Sequence, residues 1–136
     1  MMDWIKYPDL DYPAQLPKGY KSLVGRMIFV EEKRDGSNIA IWFDDYNEDV
    51  VISSRRQKIA HPKLQEQVKA TEDYWKIRKF VIENPNTIVY AESIPKGYTP
   101  TKIEPPHDKP ELVVFDILIL GGFLNPIDLS SICRKY

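Results

Sequence analysis

Cysteine is nearly missing from this chain: Cys133 is the single example among 136 residues. One thiol can neither close an internal disulfide nor build a cysteine-based zinc site. No histidine-bearing motif accompanies Cys133, so it reads as an inert thiol. An excess of one charge is also missing. The formal net charge is -1, so no overall positive field announces a nucleic-acid partner, although a local basic groove can serve one. Long apolar runs are absent as well, and none approaches the roughly 20 residues that span a bilayer. The first ten residues alternate acidic, aromatic and proline side chains without the apolar stretch of a signal peptide. The expectation is an intracellular, cytoplasmic protein with no membrane partner.

The chain does hold the material for a core. An apolar content of 43% with 12% aromatic residues argues against disorder. The length suits one domain, residues 1–136. Pro8, Pro13 and Pro17 with Lys18-Gly19 predict an irregular lead-in. Residues 27–33 are β-branched and aromatic, which predicts a buried strand. Arg34-Asp35-Gly36-Ser37 then reads as a tight turn in which Gly36 supplies a conformation that other residues resist. Residues 38–43 predict a second strand with Ile39, Ile41 and Phe43 on one face, and residues 44–49 an acidic turn. Residues 50–53 predict a third strand, completing a β-meander.

Pro62 opens the one predicted helix, at a position where its missing N–H costs nothing. Leu64, Val68, Trp75 and Ile82 mark its apolar stripe, and Asn84-Pro85 stops it. Residues 86–92 return as a strand. Residues 93–110 hold five prolines and no periodicity. A connection of that length is uncommon unless it is functional, mobile or conceals a hairpin. Residues 111–120 form the strongest strand, apolar except at Asp116. There are no repeats. Strands, a helix and further strands predict an α+β fold with antiparallel sheets and a flanking helix.

Four segments carry candidate chemistry: 31–38 (Glu-Glu-Lys-Arg-Asp-Gly-Ser-Asn), Ser53-Ser54-Arg55, Tyr90-Ala91-Glu92-Ser93 and Val114-Phe115-Asp116-Ile117. Each has a plain structural reading. Lys33 fits a hairpin edge with its ammonium in water, Glu92 a solvated strand end, Phe115 a core position, and Arg55-Arg56 a surface pair. Each also has a chemical one. Lys33 could attack an α-phosphate, which requires a neutral amine against a reference pKa of about 10.4. Desolvation and nearby cations favour that form. Arg34 would point away on a strand, so the helping cation would be Arg55 or a bound metal. Gly36 would let phosphates approach the backbone. Glu92 could accept from a ribose hydroxyl, and Phe115 could stack on a purine. Arg55 could hold a phosphate or a 5′ end. Asp116 needs a partner, a metal or a place facing solvent, because an unpaired buried carboxylate is costly.

In order and approximate spacing these segments resemble motifs I, Ia, III and IIIa of the covalent nucleotidyltransferases: DNA ligases, RNA ligases and mRNA capping enzymes. Lys33, Arg34, Asp35 and Gly36 match Lys-x-Asp-Gly. The longer Glu-Lys-x-Asp-Gly-Ser-Asn form, and the lead-in Ile5-Lys6-Tyr7-Pro8, look most like the RNA ligases related to the second phage-type enzyme. The resemblance implies the N-terminal part of an ATP-grasp-like adenylation domain. Lys33 would be the adenylated nucleophile, and Glu31 or Glu32 would read adenine. Asn38 and Arg55 would handle phosphates and the nucleic-acid end, Glu92 the ribose, and Phe115 the adenine face. ATP and magnesium would be the cofactors, with no protein metal ligand assigned, and RNA or RNA/DNA ends the partners. Capping guanylyltransferases fit less well, because Ser37-Asn38 looks like ligases. Motif IV, an acidic-Gly segment, and motif V, Lys-x-Lys, have no counterpart after Phe115. The resemblance therefore implies a truncated or split ligase domain completed by a C-terminal fragment. The alternative is a non-catalytic remnant that binds a nucleotide, nucleic acid or protein.

Overall fold

A computed structural model describes residues 3–9, 24–119 and 121–136. The lead-in residues Pro13, Pro17, Lys18 and Gly19, and Leu120 at the end of the expected last strand, lie outside them. In chain order the elements are β1 (Ser37–Asp44), β2 (Asp49–Ser54), α1 (Pro62–Lys69), α2 (Glu72–Glu83), β3 (Thr87–Ile94), β4 (Glu111–Ile119), β5 (Gly122–Phe123) and α3 (Pro126–Lys135). The strands form one sheet in the order β2-β1-β3-β4-β5, with every pairing antiparallel. The architecture is the expected α+β.

Side chains alternate across a strand, and the sheet uses both faces. Ile39 and Ile41 of β1, Val89 and Ala91 of β3, and Leu112 and Ile117 of β4 pack against Val68, Tyr74, Ile77, Phe80, Val81 and Leu129 of the helices. On the opposite face Ala40, Trp42, Ile88, Tyr90 and Leu118 gather with Trp4, Tyr7, Val51 and Phe115. The lead-in residues 3–9 thus cover part of the face that the helices leave bare. The acidic turn forms as expected: the Asp44 carboxylate accepts from the Tyr46 amide at 3.0 Å and from Asn47 Nδ2 at 2.6 Å, as aspartate does in turns.

Three expectations are corrected. Residues 27–33 form no strand, and Met27 and Val30 are 91% and 87% exposed. A β-branched run records only a fit to a paired, half-covered surface, and this segment has no partner among the described strands. The β-meander is therefore the hairpin β1–β2 alone. With its first strand gone, the turn at 34–37 is not a hairpin turn, and Gly36 does not take a positive φ. A Cβ on Gly36 would instead collide with the backbone carbonyl of Ser93 on β3. The glycine is required by close packing of two backbones.

The single helix is two. Pro62 does stand at the first turn of α1, but Thr71 breaks the run. Its Oγ1 donates to the Val68 carbonyl at 2.7 Å and accepts from the Tyr74 amide at 3.2 Å, ending one helix and capping the next, an interaction usually worth about 1 kcal/mol. The break shifts the phase of the second helix. Leu64 and Val68 face the core as expected, whereas Trp75 is 58% exposed and Tyr74, Ile77, Phe80 and Val81 are buried instead. Within 93–110 the concealed hairpin exists in minimal form, with Gly97 and His107 exchanging two backbone hydrogen bonds of 2.8 and 3.0 Å. Helix α3 was not foreseen, although Asn125-Pro126 carries the signal: Asn125 Oδ1 accepts from the Asp128 amide at 2.9 Å, and Pro126 takes the first turn.

Candidate active site

Position along the strands decides which polar side chains meet. Asn38 lies two residues before Ala40 on β1, and Glu92 two after Tyr90 on β3, so both share the face opposite the helices. Asn38 pairs with Glu92, and Glu92 with Val113 of β4, giving one row across three strands. Beyond Val113 the β4 register slips. Ala91 pairs with Val114 but Tyr90 pairs with Asp116, leaving Phe115 as an extra residue. Such a β-bulge re-aims side chains. Here it turns both Phe115 and Asp116 toward one cavity, while Val114 and Ile117 remain against the helices.

That cavity has a volume of about 1190 Å³. Glu31, Glu32, Lys33, Asn38, Arg55, Glu92 and Phe115 all line it, so one space gathers every site residue expected from the sequence. They do not stand on equal footing. Asn38, Glu92 and Phe115 are partly buried on paired strands, while Glu31, Glu32 and Lys33 are exposed on the unpaired segment. The expectation of a lysine closing a buried strand is thus corrected. Tyr7, Pro8, Arg56, Gln57 and Asp116 also line the cavity, and Leu64 and Leu129 reach it from the helices.

Glu92 Oε1 accepts from the Gly36 amide at 3.1 Å. Burial pushes its carboxyl above the ordinary value. The Gly36 amide opposes that, Asp35 adds to it, and the positive charges of Lys33 and Arg55 oppose it. Asp116 finds its partner in Tyr7, whose hydroxyl donates to Oδ2 at 2.8 Å, while Oδ1 accepts from the Ile117 amide at 2.9 Å. Burial nevertheless holds the Asp116 carboxyl above the usual range, against those two hydrogen bonds. The same burial, with Asp116 nearby, pushes the Tyr90 hydroxyl up to about 12. The Tyr7 ring meets Phe115 edge-on, with centroids 5.0 Å apart, an arrangement that aromatic quadrupoles favour. Arg55 reaches the Asp9 carboxylate at 2.9 Å, with both side chains mostly exposed.

Tyr7 and Asp116 are the functional candidates that sequence reasoning left unassigned. Asp116 was visible as a polar break in an apolar strand. Tyr7 had only its place in the lead-in. Among the described residues no group of three or more His, Cys, Asp or Glu side chains is placed to hold a metal ion, and Glu92 and Asp116 already accept hydrogen bonds. Among the described residues no helix is long and apolar enough to cross a membrane.

An RNA ligase family model matches residues 26–136. The chain belongs to the RNA ligase family. A search of curated proteins gives no match. The matched span contains every site residue expected from the sequence, but it begins after the lead-in. The Tyr7 side that closes over Phe115 and Asp116 therefore lies outside the part of this RNA ligase family chain that the match covers.

Proposed function

We propose that the cavity binds ATP and that Lys33 takes AMP from it, as the first step in sealing a 5′-phosphate to a 3′-hydroxyl on RNA or RNA/DNA ends. The observation that carries the reading is the convergence of Lys33, Arg55, Glu92 and Phe115, from four separate segments, on one cavity. Its volume exceeds the usual 300–1,000 Å³ of small-ligand sites, leaving room for a nucleotide beside a strand end. The Lys33 amine, in its neutral form, attacks the α-phosphorus, and pyrophosphate leaves with the broken P–O bond. The lysyl-AMP then gives AMP to the 5′-phosphate, and a 3′-hydroxyl oxygen displaces AMP to form the phosphodiester.

The floor of the cavity suits the recognition roles. Phe115 offers a ring face beside Tyr7, and the row of Asn38 and Glu92 offers an amide and a carboxylate to phosphate and ribose. Glu31 or Glu32 reads adenine from the wall, and Arg55 and Asn38 take phosphate. Arg55 would exchange its exposed Asp9 contact for the substrate, since an exposed pair is worth only ~0–1 kcal/mol. Magnesium keeps most of its ligands as water and phosphate oxygens, so it would arrive on ATP, and none of the steps above is assigned to it. The reaction would take place in the cytoplasm.

A second reading rests on a specific observation: Lys33 is exposed on a segment with no strand partner among the described residues. Cations corresponding to motif V would come from a C-terminal fragment, in cis or in trans. Without them the chain would bind a nucleotide or nucleic acid without reacting. Intact mass after incubation with ATP and magnesium, with and without that fragment, separates the two. An AMP adduct mapped to Lys33 supports the enzyme. No adduct in either case leaves the binding module.

A further inference from the structure

Residues 95–110 do not line the cavity, yet they hold the segment next to Lys33. Glu104 sits at the centre, its side chain only 15% exposed. Oε1 accepts from Arg34 Nε at 3.1 Å and from the Asp35 amide at 2.9 Å. Oε2 accepts from Arg34 Nη2 at 3.2 Å and lies 2.9 Å from His107 Nε2. Arg34 therefore does not simply point away, as a strand would require. Its guanidinium makes the two-pronged contact that suits a carboxylate. Asp35 is gripped again through its own side chain, which accepts from the Thr101 amide at 3.1 Å and hydroxyl at 2.6 Å. The paired backbones of Gly97 and His107 close the loop behind these contacts. Arg34 and the backbone amide of Asp35 hold the Glu104 carboxyl down at about 2.

The consequence falls on Lys33. The residues before it have no strand partner among the described residues, and the next three are fixed: Arg34 and Asp35 by Glu104, Gly36 by the Glu92 carboxylate and by its packing on Ser93. Among the described residues the backbone that carries the amine is thus located from its C-terminal side, by the 95–110 loop at Arg34 and Asp35 and by β3 at Gly36. We propose that Glu104 is a positioning residue for Lys33, clamping the Arg34–Asp35 backbone so that the amine is presented to the α-phosphate. This rests on Lys33 being the adenylated residue. The loop that looked too long and too rich in proline to be a plain connection then has a task.

The test has two arms, so that the clamp and the reading of Lys33 can fail separately. The first arm needs no activity: amide hydrogen exchange at single-residue resolution in the full chain, wild type against Glu104→Gln and Glu104→Ala. Exchange at Asp35 should quicken by about tenfold or more in Glu104→Ala, the scale of one charge-assisted hydrogen bond. It should quicken less in Glu104→Gln, which keeps a carbonyl acceptor. The amide of Ile41 on β1 should be unchanged in both. Unchanged exchange at Asp35, or equal quickening at Ile41, overturns the clamp. The second arm measures Lys33–AMP formation under whichever condition, with or without a C-terminal fragment, gives the wild type an adduct. Glu104→Ala should lower the maximal rate about tenfold or more while the ATP KM stays within about threefold, because only the nucleophile is misplaced. An unaltered rate alongside quickened exchange overturns the positioning role. A wild type that forms no adduct in any condition removes the Lys33 reading, and the clamp then stands or falls on exchange alone.

Discussion

The floor and the wall of the cavity are built in different ways. Asn38, Glu92 and Phe115 stand on strands of the sheet, Glu92 paired on both sides and Phe115 at the bulge of β4, whereas Glu31, Glu32 and Lys33 stand on an exposed segment with no strand partner among the described residues. Moving the floor would require breaking ladder hydrogen bonds over a packed core. Among the described residues the wall is held at 34–36, by Glu104, Thr101, Glu92 and Ser93. Recognition groups gain from a fixed frame, because preorganised contacts lose no ordering entropy on binding. A nucleophile instead needs desolvation and neighbouring cations at the moment of attack. An exposed wall supplies the first only once something covers it. On the proposed function the floor would hold the ribose and the base face while the wall would carry the nucleophile, so losses of floor contacts and of the amine should be separable.

The sharpest way to break this comparison is to remove the wall's amine. Lys33→Ala should abolish the covalent AMP adduct in any active form. Lys33→Arg should do the same, since a guanidinium stays protonated and cannot attack. Neither should change the thermal midpoint appreciably, because Lys33 is exposed. Intact mass and a melting curve on both variants check this. AMP appearing on another residue of Lys33→Ala would end the assignment.

Next in size is the joint between wall and floor. Gly36→Ala should destabilise the fold by about 1–3 kcal/mol, the usual cost of overpacking. The new methyl meets β3 backbone, which cannot swing aside as a flexible side chain could. Urea denaturation gives the number. An unchanged midpoint would mean that Gly36 is not pressed against Ser93.

Phe115→Leu tests the floor alone. A base stacked on Phe115 should cost the variant about 1–3 kcal/mol of ATP affinity by calorimetry. A purely packed Phe115 should instead show a stability change, typically under about 1.5 kcal/mol for a tolerated apolar swap. Its place on the cavity lining favours the first outcome, and its edge-on contact with Tyr7 the second.

What was legible in the sequence was local. Period-two alternation in Ile39 and Ile41, Pro62 at a helix start, and the run at residues 111–119 are each decided by neighbours in the chain. They survive folding because the sheet and helices use them as written. That Lys33, Arg55, Glu92 and Phe115 would line one cavity was legible too, since spaced motifs name residues without saying where the chain goes. What was not legible depends on distant partners. Residues 27–33 look like a strand, but a strand exists only when another pairs with it. Thr71 is a poor predictor of a break until its hydroxyl is seen serving two helices at once. The bulge at Phe115 depends on register against Tyr90, and the partner of Asp116 lies 109 residues away at Tyr7. No periodicity in either segment encodes that contact.

The smallest expected effect is a slope rather than a loss, and it probes the floor where the lead-in covers it. Burial holds the Asp116 carboxyl above its ordinary value, so the folded state binds a proton in a range where the unfolded chain has released it. Stability from this group is therefore fully present below the unfolded value of 3.8 and declines as pH rises through the higher folded value. Asp116→Asn cannot titrate, and its amide oxygen can still accept from Tyr7. Whatever fixed offset the substitution carries, the stability of the variant relative to wild type should improve as pH rises from below 4 toward neutrality. Tyr7→Phe should act oppositely on the carboxylate. Removing the donor that favours the charged form should raise the folded value further, so the decline extends to higher pH than in wild type. Urea midpoints at closely spaced pH values for the three proteins make the comparison. Parallel wild-type and Asp116→Asn curves would mean that Asp116 is solvated in the folded state, and that the lead-in does not close over this end of the floor.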